Sequence, residues 1–249
     1  MKILVPVKQV PDPNALRFDA QGNFAPNTAR VVNEYDQYAL EAAILLKESL
    51  PDVDVTVVSI GPASARDAIS RGLAMGADQG ILVQEDSTQL DTLATAKTLA
   101  DIAGEGGYDL ILVGQETSDG GSGNVGPQLA ALLELPLVTN VVGLEWADSG
   151  TLTLEREVED GRHVVEVDPP VVICALTGLN EPRYPSLKGI MAARRKPIDA
   201  RNGIAMPEAT TSWGALRAEE RTVEGVLIET DAESAVQQLV ELLRARDLL

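Results

Sequence analysis

The sequence predicts an α/β protein built on a parallel, doubly wound sheet, and three observations predict it. Short runs rich in β-branched residues recur at Ile3–Val7, Val53–Ile60, Ile81–Val83, Leu110–Val113 and Leu137–Val141. The runs contain few polar gaps, as expected of strands covered on both faces. Between them lie segments whose apolar residues recur at spacings of three and four. Alternation of this kind closes into a parallel sheet with helices on both faces.

The first run, Ile3–Val7, is followed by Lys8. Asn33-Glu34-Tyr35-Asp36 has the form of a helix N-cap with an acid three residues on, and Ala39, Ala42, Ala43, Leu45 and Leu46 follow at helical spacing. After the second run, Gly61-Pro62 puts proline in a helical first turn. Ala65, Ala68, Ile69, Gly72 and Leu73 then form the stripe, and Gly76 is the stop. Asp91–Ala103 and Val125–Leu133 read as two further helices on either side of Leu110–Val113.

The pattern changes after Pro136. Thr151–Val158 and His163–Val167 alternate around Glu159-Asp160-Gly161, a hairpin pattern, and Pro169-Pro170 precede a further run, Val171–Leu176. Residues 180–203 carry Pro, Arg, Lys and Gly without clear period, so they read as an exposed functional loop plus connector. Met206–Arg221, with Pro207, Thr210, Thr211, Ser212 and Gly214, reads as a linker or arm. A last helix begins at Thr230, where Thr230 and Glu233 form a capping box. Ala232, Ala235, Val236, Leu239, Val240 and Leu243 make its apolar stripe. The expected division is an α/β domain over 1–200, with hairpin and loop, and a C-terminal arm and helix over 201–249. That helix packs on its own domain or on a partner.

The chain has 249 residues, with 20 Lys+Arg against 38 Asp+Glu and a net charge of −18. An acidic surface repels phosphodiester backbones and anionic membranes, so nucleic acid is a poor partner. No stretch approaches the roughly 18 apolar residues of a membrane span. Ile3–Val7 is too short for a signal-peptide core, and the single cysteine, Cys174, suits a reducing compartment, so a cytoplasmic protein is expected. The single histidine, His163, cannot build a His-rich metal site. His163 and Cys174 both read as structural residues. No C-x-x-C, H-E-x-x-H, G-x-S-x-G or paired acid/base constellation occurs, which leaves hydrolase and metalloenzyme readings without support.

The segment richest in chemistry runs from Val113 to Pro127, between a strand and a helix. Its glycines let the backbone approach a ligand, and the amides of the following helix start face an anion. Gly121-Ser122-Gly123-Asn124-Val125-Gly126 matches G-x-G-x-x-G formally, but it follows the fourth strand rather than the first, so it is no dinucleotide fingerprint. It reads as a phosphate cradle without a lysine; the alternative is a glycine loop that holds no ligand. Ligands of such sheets sit at strand carboxyl ends near the switch point, so Pro6, Val7, Lys8 and Ser59-Ile60-Gly61 line the same crevice. Asp91 and Thr92 are helix caps or further ligand contacts. A basic patch of Arg183, Lys188 and Arg194-Arg195-Lys196 flanks Leu187, a candidate partner anchor.

Together these segments resemble the β subunit of electron transfer flavoprotein, in order along nearly the whole chain. The likeness is carried by Ile3–Val10 with Lys8, by Asn33–Glu48, by Gly61-Pro62 with Ala74–Asp78, and by the Gly114–Gly126 loop. Glu155-Arg156-Glu157 and the highly specific stretch Leu179–Leu187 through Ile190-Met191 complete it. The resemblance implies an adenine nucleotide α-hydrolase-like sheet and a heterodimer whose α subunit holds most of the redox FAD. It implies AMP bound structurally in this chain, its phosphate against Asp119, Gly120, Gly121, Ser122, Gly123, Asn124, Val125 and Gly126. Pro6, Asn33 and Ile60 would line the adenine and ribose side, and Tyr35 would lie near the flavin. Leu187, with Tyr184 in the same loop, would dock flavin dehydrogenases, and Glu157 would pair with an arginine of the α subunit. Electrons would pass through FAD to a quinone-linked acceptor, making the chain part of a carrier rather than an enzyme.

The chain departs from the family pattern at Pro13, where some members carry an aromatic, and at Asp119-Gly120-Gly121 in place of an aspartate run. Gln9–Asp12, Asp91–Thr95 and Val125–Pro127 look like relatives that bind a second FAD instead of AMP and bifurcate electrons. AMP and a second FAD both stay open, AMP being favoured. A non-redox nucleotide sensor is the alternative of another class, and it leaves Asn180–Leu187 unexplained.

Overall fold

The computed structural model describes residues 1–19, 22, 24–25, 27–85, 90–147, 149–203, 206–212, 214 and 225–249. Two compact units result, Met1–Ala215 and Leu216–Leu249. The first contains, in chain order, β1 (Lys2–Pro6), β2 (Gln9–Pro11), β3 (Arg30–Val32), α1 (Glu34–Ser49), β4 (Asp54–Gly61), α2 (Arg66–Met75) and β5 (Gln79–Gln84). There follow α3 (Thr92–Gly106), β6 (Leu110–Gly114), α4 (Val125–Leu133), β7 (Leu137–Trp146), β8 (Leu152–Val158), β9 (Gly161–Val167), β10 (Val171–Ala175), α5 (Leu187–Ala193) and β11 (Ile198–Asn202).

Successive strand residues face opposite sides, and this builds two cores from one sheet. Ile3 and Val5 enter the core shared with Leu40, Ile44, Ile69 and Leu73 of α1 and α2. Leu4 enters the other, with Leu99 and Ile102 of α3 and Leu129 of α4. Burying each such Leu or Ile contributes about 1.5–3 kcal/mol. The sheet has nine strands in the order β11-β5-β4-β1-β6-β10-β7-β8-β9. It is parallel from β11 to β7, while β8 and β9 pair antiparallel. The α/β doubly wound architecture is the predicted one.

Residues 180–203 differ from expectation: they hold a helix and a strand. Ser186 caps α5 by accepting the Gly189 amide at 3.0 Å, and β11 adds a parallel edge strand to β5. A seven-residue helix and a half-exposed edge strand are too short and too polar to display a period. A second, two-stranded ribbon pairs β2 with β3. Pro62 begins a 3₁₀ turn, Ala63–Ala65, so α2 starts only at Arg66.

The second unit contains α6 (Ala232–Ala245), capped by Asp231 rather than Thr230: Asp231 Oδ1 accepts the Ser234 amide at 3.1 Å. None of its residues is buried. The arm residues 215–224 lie outside the described residues. Among the described residues, no helix is long and apolar enough to cross a membrane.

Candidate functional site

The chain leaves β1 towards β4 on one side, and β6 later takes the place on the other side of β1. The carboxyl ends of β1 and β6 therefore flank the switch point, the place where ligands of such sheets bind. Pro6 and Lys8, the start of α1 and the loop Gly114–Gly126 meet there.

Asn33 organises this meeting. It is fully buried and occupies the N-cap position of α1, yet its side chain makes no capping bond. Its Nδ2 instead donates to Asp36 Oδ1 at 3.0 Å and to the Glu116 carbonyl at 2.8 Å, while its Oδ1 accepts the Ser118 amide at 3.1 Å. The expected cap is thus a clamp that pins the glycine loop to α1. Asp36 Oδ2 accepts the Lys8 amide at 2.7 Å. Burial pushes the Asp36 carboxyl up to about 7, against the opposing pull of the Asn33 and Lys8 hydrogen bonds. Gly114 makes this approach possible, since a Cβ there would lie 2.3 Å from Asp36 Oδ1 and 2.8 Å from its backbone nitrogen.

The loop then turns through Gly121 and Gly123 at φ +56° and +59°, a region that favours glycine. Gly126 lets α4 start close against β10, because a Cβ there would lie 2.5 Å from Cys174 Sγ. Asn124 gives α4 no side-chain cap. Among the described residues, no backbone or side-chain acceptor pairs with the amides of Ser122, Gly123, Asn124, Val125 or Gly126. Lys8 Nζ reaches Asp119 Oδ1 at 2.9 Å. Pro6 and Ile60 sit half-buried near the carboxyl ends of β1 and β4. Tyr35, half-buried, holds its hydroxyl proton more tightly than a free tyrosine, through burial first and then the Glu116 and Glu34 carboxylates.

The family model described as electron transfer flavoprotein domain matches residues 22–204. The chain belongs to the electron transfer flavoprotein family. It is 36% identical to the electron transfer flavoprotein subunit beta of Thermoanaerobacterium thermosaccharolyticum, over 100% of each chain. It is 42% identical to that of Bradyrhizobium diazoefficiens, over 80% of each. It is also 38% identical to the caffeyl-CoA reductase-Etf complex subunit CarD of Acetobacterium woodii, over 80% of this chain and 77% of that one. The match to the flavoprotein domain spans β3 to β11, and so includes the glycine loop and the Asn180–Leu187 segment.

In this member of the electron transfer flavoprotein family, Asp91 is a structural junction. Its Oδ1 caps α3 through the Ala94 amide at 2.8 Å, and its Oδ2 accepts both amides and both hydroxyls of Thr210 and Thr211 at 2.7–3.2 Å. The Ala94 amide first, with Thr210 and Thr211, holds the carboxyl well below the usual range. The only signal of this strap in the sequence is a threonine pair inside the presumed linker.

Tyr184 and Leu187 are 89% and 83% exposed, at the start of α5. Gly189 seats α5 on α2, where a Cβ would lie 2.3 Å from the Ala74 carbonyl. Sequence reasoning missed what holds the preceding loop. Arg183 binds Glu41 and Glu48 of α1, and Asn180 Nδ2 donates to the Tyr38 carbonyl at 2.9 Å. Glu157 is exposed on β8, where the neighbouring Arg162 reaches Glu155 at 3.2 Å instead. His163 is exposed, and burial pushes the Cys174 thiol up to about 12, which leaves it unreactive. Among the described residues, no acidic, His or Cys cluster is arranged to hold a metal.

Proposed function

We propose that the chain is the β subunit of a heterodimeric, cytoplasmic electron transfer flavoprotein that binds AMP in the β1/β6 crevice. The observation that carries this reading is the glycine loop pinned by Asn33, with five successive amides beside Lys8 that have no acceptor among the described residues. Uncapped amides at a helix start form an anion site, and the positive-φ glycines leave no side chain in the way, so the residues present fit an adenylate phosphate. Pro6, Asn33 and Ile60 border the base and sugar, residues 120–126 the phosphate, with Asp119 beside them on Lys8, and Tyr35 the side facing the flavin.

FAD, held mainly by the α subunit, supplies the electron chemistry. The chain's own residues bind, orient and dock. Leu187 and Tyr184 anchor flavin dehydrogenases, and electrons continue to a quinone-linked acceptor. Glu157 pairs with an arginine of the α subunit, an exposed contact of about 0–1 kcal/mol that biases a population without locking it. The second unit is an arm, and the apolar stripe of α6 packs on its own domain or on the α subunit. No residue serves as a catalytic acid or base.

A second FAD in place of AMP is the competing reading, favoured by the similarity to CarD, whose name places it in a reductase complex. Native mass spectrometry of the chain co-expressed with its partner tests both. One AMP and one FAD per heterodimer is expected. Two FAD would replace AMP by the second reading, and bound nucleotide without any flavoprotein partner would leave the non-redox sensor.

A further inference from the structure

Within the segments that form the crevice (residues 6–8, 33–36, 59–61 and 114–126), Lys8 is the only cationic side chain. The same segments carry the carboxylates of Glu34, Asp36, Glu116 and Asp119. A phosphate entering there without a cation would add anion to anion. The loop itself supplies none, since it has no lysine of the P-loop kind.

Lys8 is held where that cation is needed. Its amide is fixed to the buried Asp36 at 2.7 Å, so its Cα position is set by the core rather than by the surface. Its ammonium crosses to Asp119 at 2.9 Å. Asp119 lies on the turn where the Gly120 and Gly121 amides close onto the Thr117 carbonyl, directly before the five unpaired amides. The side chains of Lys8 and Asp119 are 40% and 23% exposed, so their pairing is weak and readily exchanged. A phosphate carries more charge than a carboxylate and accepts from the amides as well.

Resting on the nucleotide site proposed above, we propose that Lys8 is the counter-charge of the bound nucleotide's phosphate. Asp119 occupies that ammonium as a placeholder and gives it up when the phosphate arrives. The lysine absent from the loop is thus supplied by the first strand. Asp119 shapes the site by competing with the phosphate, not by ligating it.

The test is calorimetric titration of the full chain, freed of co-purified nucleotide, with AMP and with adenosine. FAD and riboflavin form a second pair. Lys8→Gln is expected to weaken AMP binding roughly tenfold or more, as loss of a charge-assisted contact does, while adenosine binding stays within about twofold. Lys8→Arg keeps AMP binding, and Asp119→Asn leaves it equal or tighter. Equal AMP affinity in Lys8→Gln and the parent chain, or an equal loss for AMP and adenosine, overturns the role of Lys8 while the nucleotide site stands. Tenfold weaker AMP binding by Asp119→Asn overturns the placeholder. A parent chain that binds neither AMP nor FAD overturns the site and Lys8 together.

Discussion

Arg183 grips Glu41 across 142 residues of chain. Its Nε and Nη2 donate to Glu41 Oε1 at 2.9 and 2.8 Å, and its own backbone amide donates to Oε2 at 3.1 Å. Glu48, two turns further along the same face of α1, takes Nη1 and Nη2 at 2.5 and 2.8 Å. The Glu41 side chain is 4% exposed and that of Glu48 54%, so the two contacts differ in weight. Arg183→Ala is expected to lower the unfolding free energy by about 2–4 kcal/mol, because it strands a buried carboxylate. Glu48→Gln should cost under about 1 kcal/mol. Urea melts of both variants measure the difference, and equal losses would refute the assignment of the clamp to Glu41.

Leu187 stands free of the core, so Leu187→Ala should change stability by less than about 0.5 kcal/mol. If it anchors a dehydrogenase, the same change slows flavin reduction by that partner and leaves FAD content intact. Stopped-flow reduction reads this directly. Unaltered kinetics would remove Leu187 from the docking surface.

Asp36 gives stability a defined pH signature. Its carboxyl is raised to about 7 in the folded chain from an ordinary value of 3.8. A raised acid contributes stability fully below the unfolded value and loses it as pH rises through the folded one. Asp36→Asn has no such loss. The margin of the parent chain over this variant should therefore shrink between pH 4 and pH 8, by up to about 4 kcal/mol. A margin that is flat across that window would show that Asp36 does not titrate there.

Asp91 acts in the opposite sense. Its carboxyl is depressed, so its contribution is present above the ordinary aspartate range and is lost only as pH falls well below it. Asp91→Ala removes the acceptor from the Thr210 and Thr211 amides. Hydrogen exchange at those two amides should accelerate at neutral pH while exchange in β1 and β6 holds. Protected Thr210 and Thr211 in the variant would mean the strap is held elsewhere.

Much of this architecture is written locally. Val55, Val57 and Val58, or Leu110 to Val113, announce a strand covered on both faces, because burial on both sides demands unbroken apolar runs. The glycine loop was legible for the same local reason: Gly121 and Gly123 sit where φ is positive. The resemblance in Asn33–Glu48 and Leu179–Leu187 also named the family that the comparisons show. Local chemistry could not reveal that Asn33 spends its side chain on Glu116 and Ser118, or that Arg183 answers Glu41. Those partners are 83 or more residues apart in sequence.

The amino-acid order alone determined most of the strands and helices up to Ala175, where the glycine loop lies and which family the chain joins, since each depends on neighbours a few positions away. The tertiary structure alone decided that β10 slips between β6 and β7, that residues 198–202 complete the sheet's far edge, and that Lys8 stands opposite Asp119. Contacts of that kind arise only once the two cores have packed, because packing is what carries distant side chains within hydrogen-bonding reach.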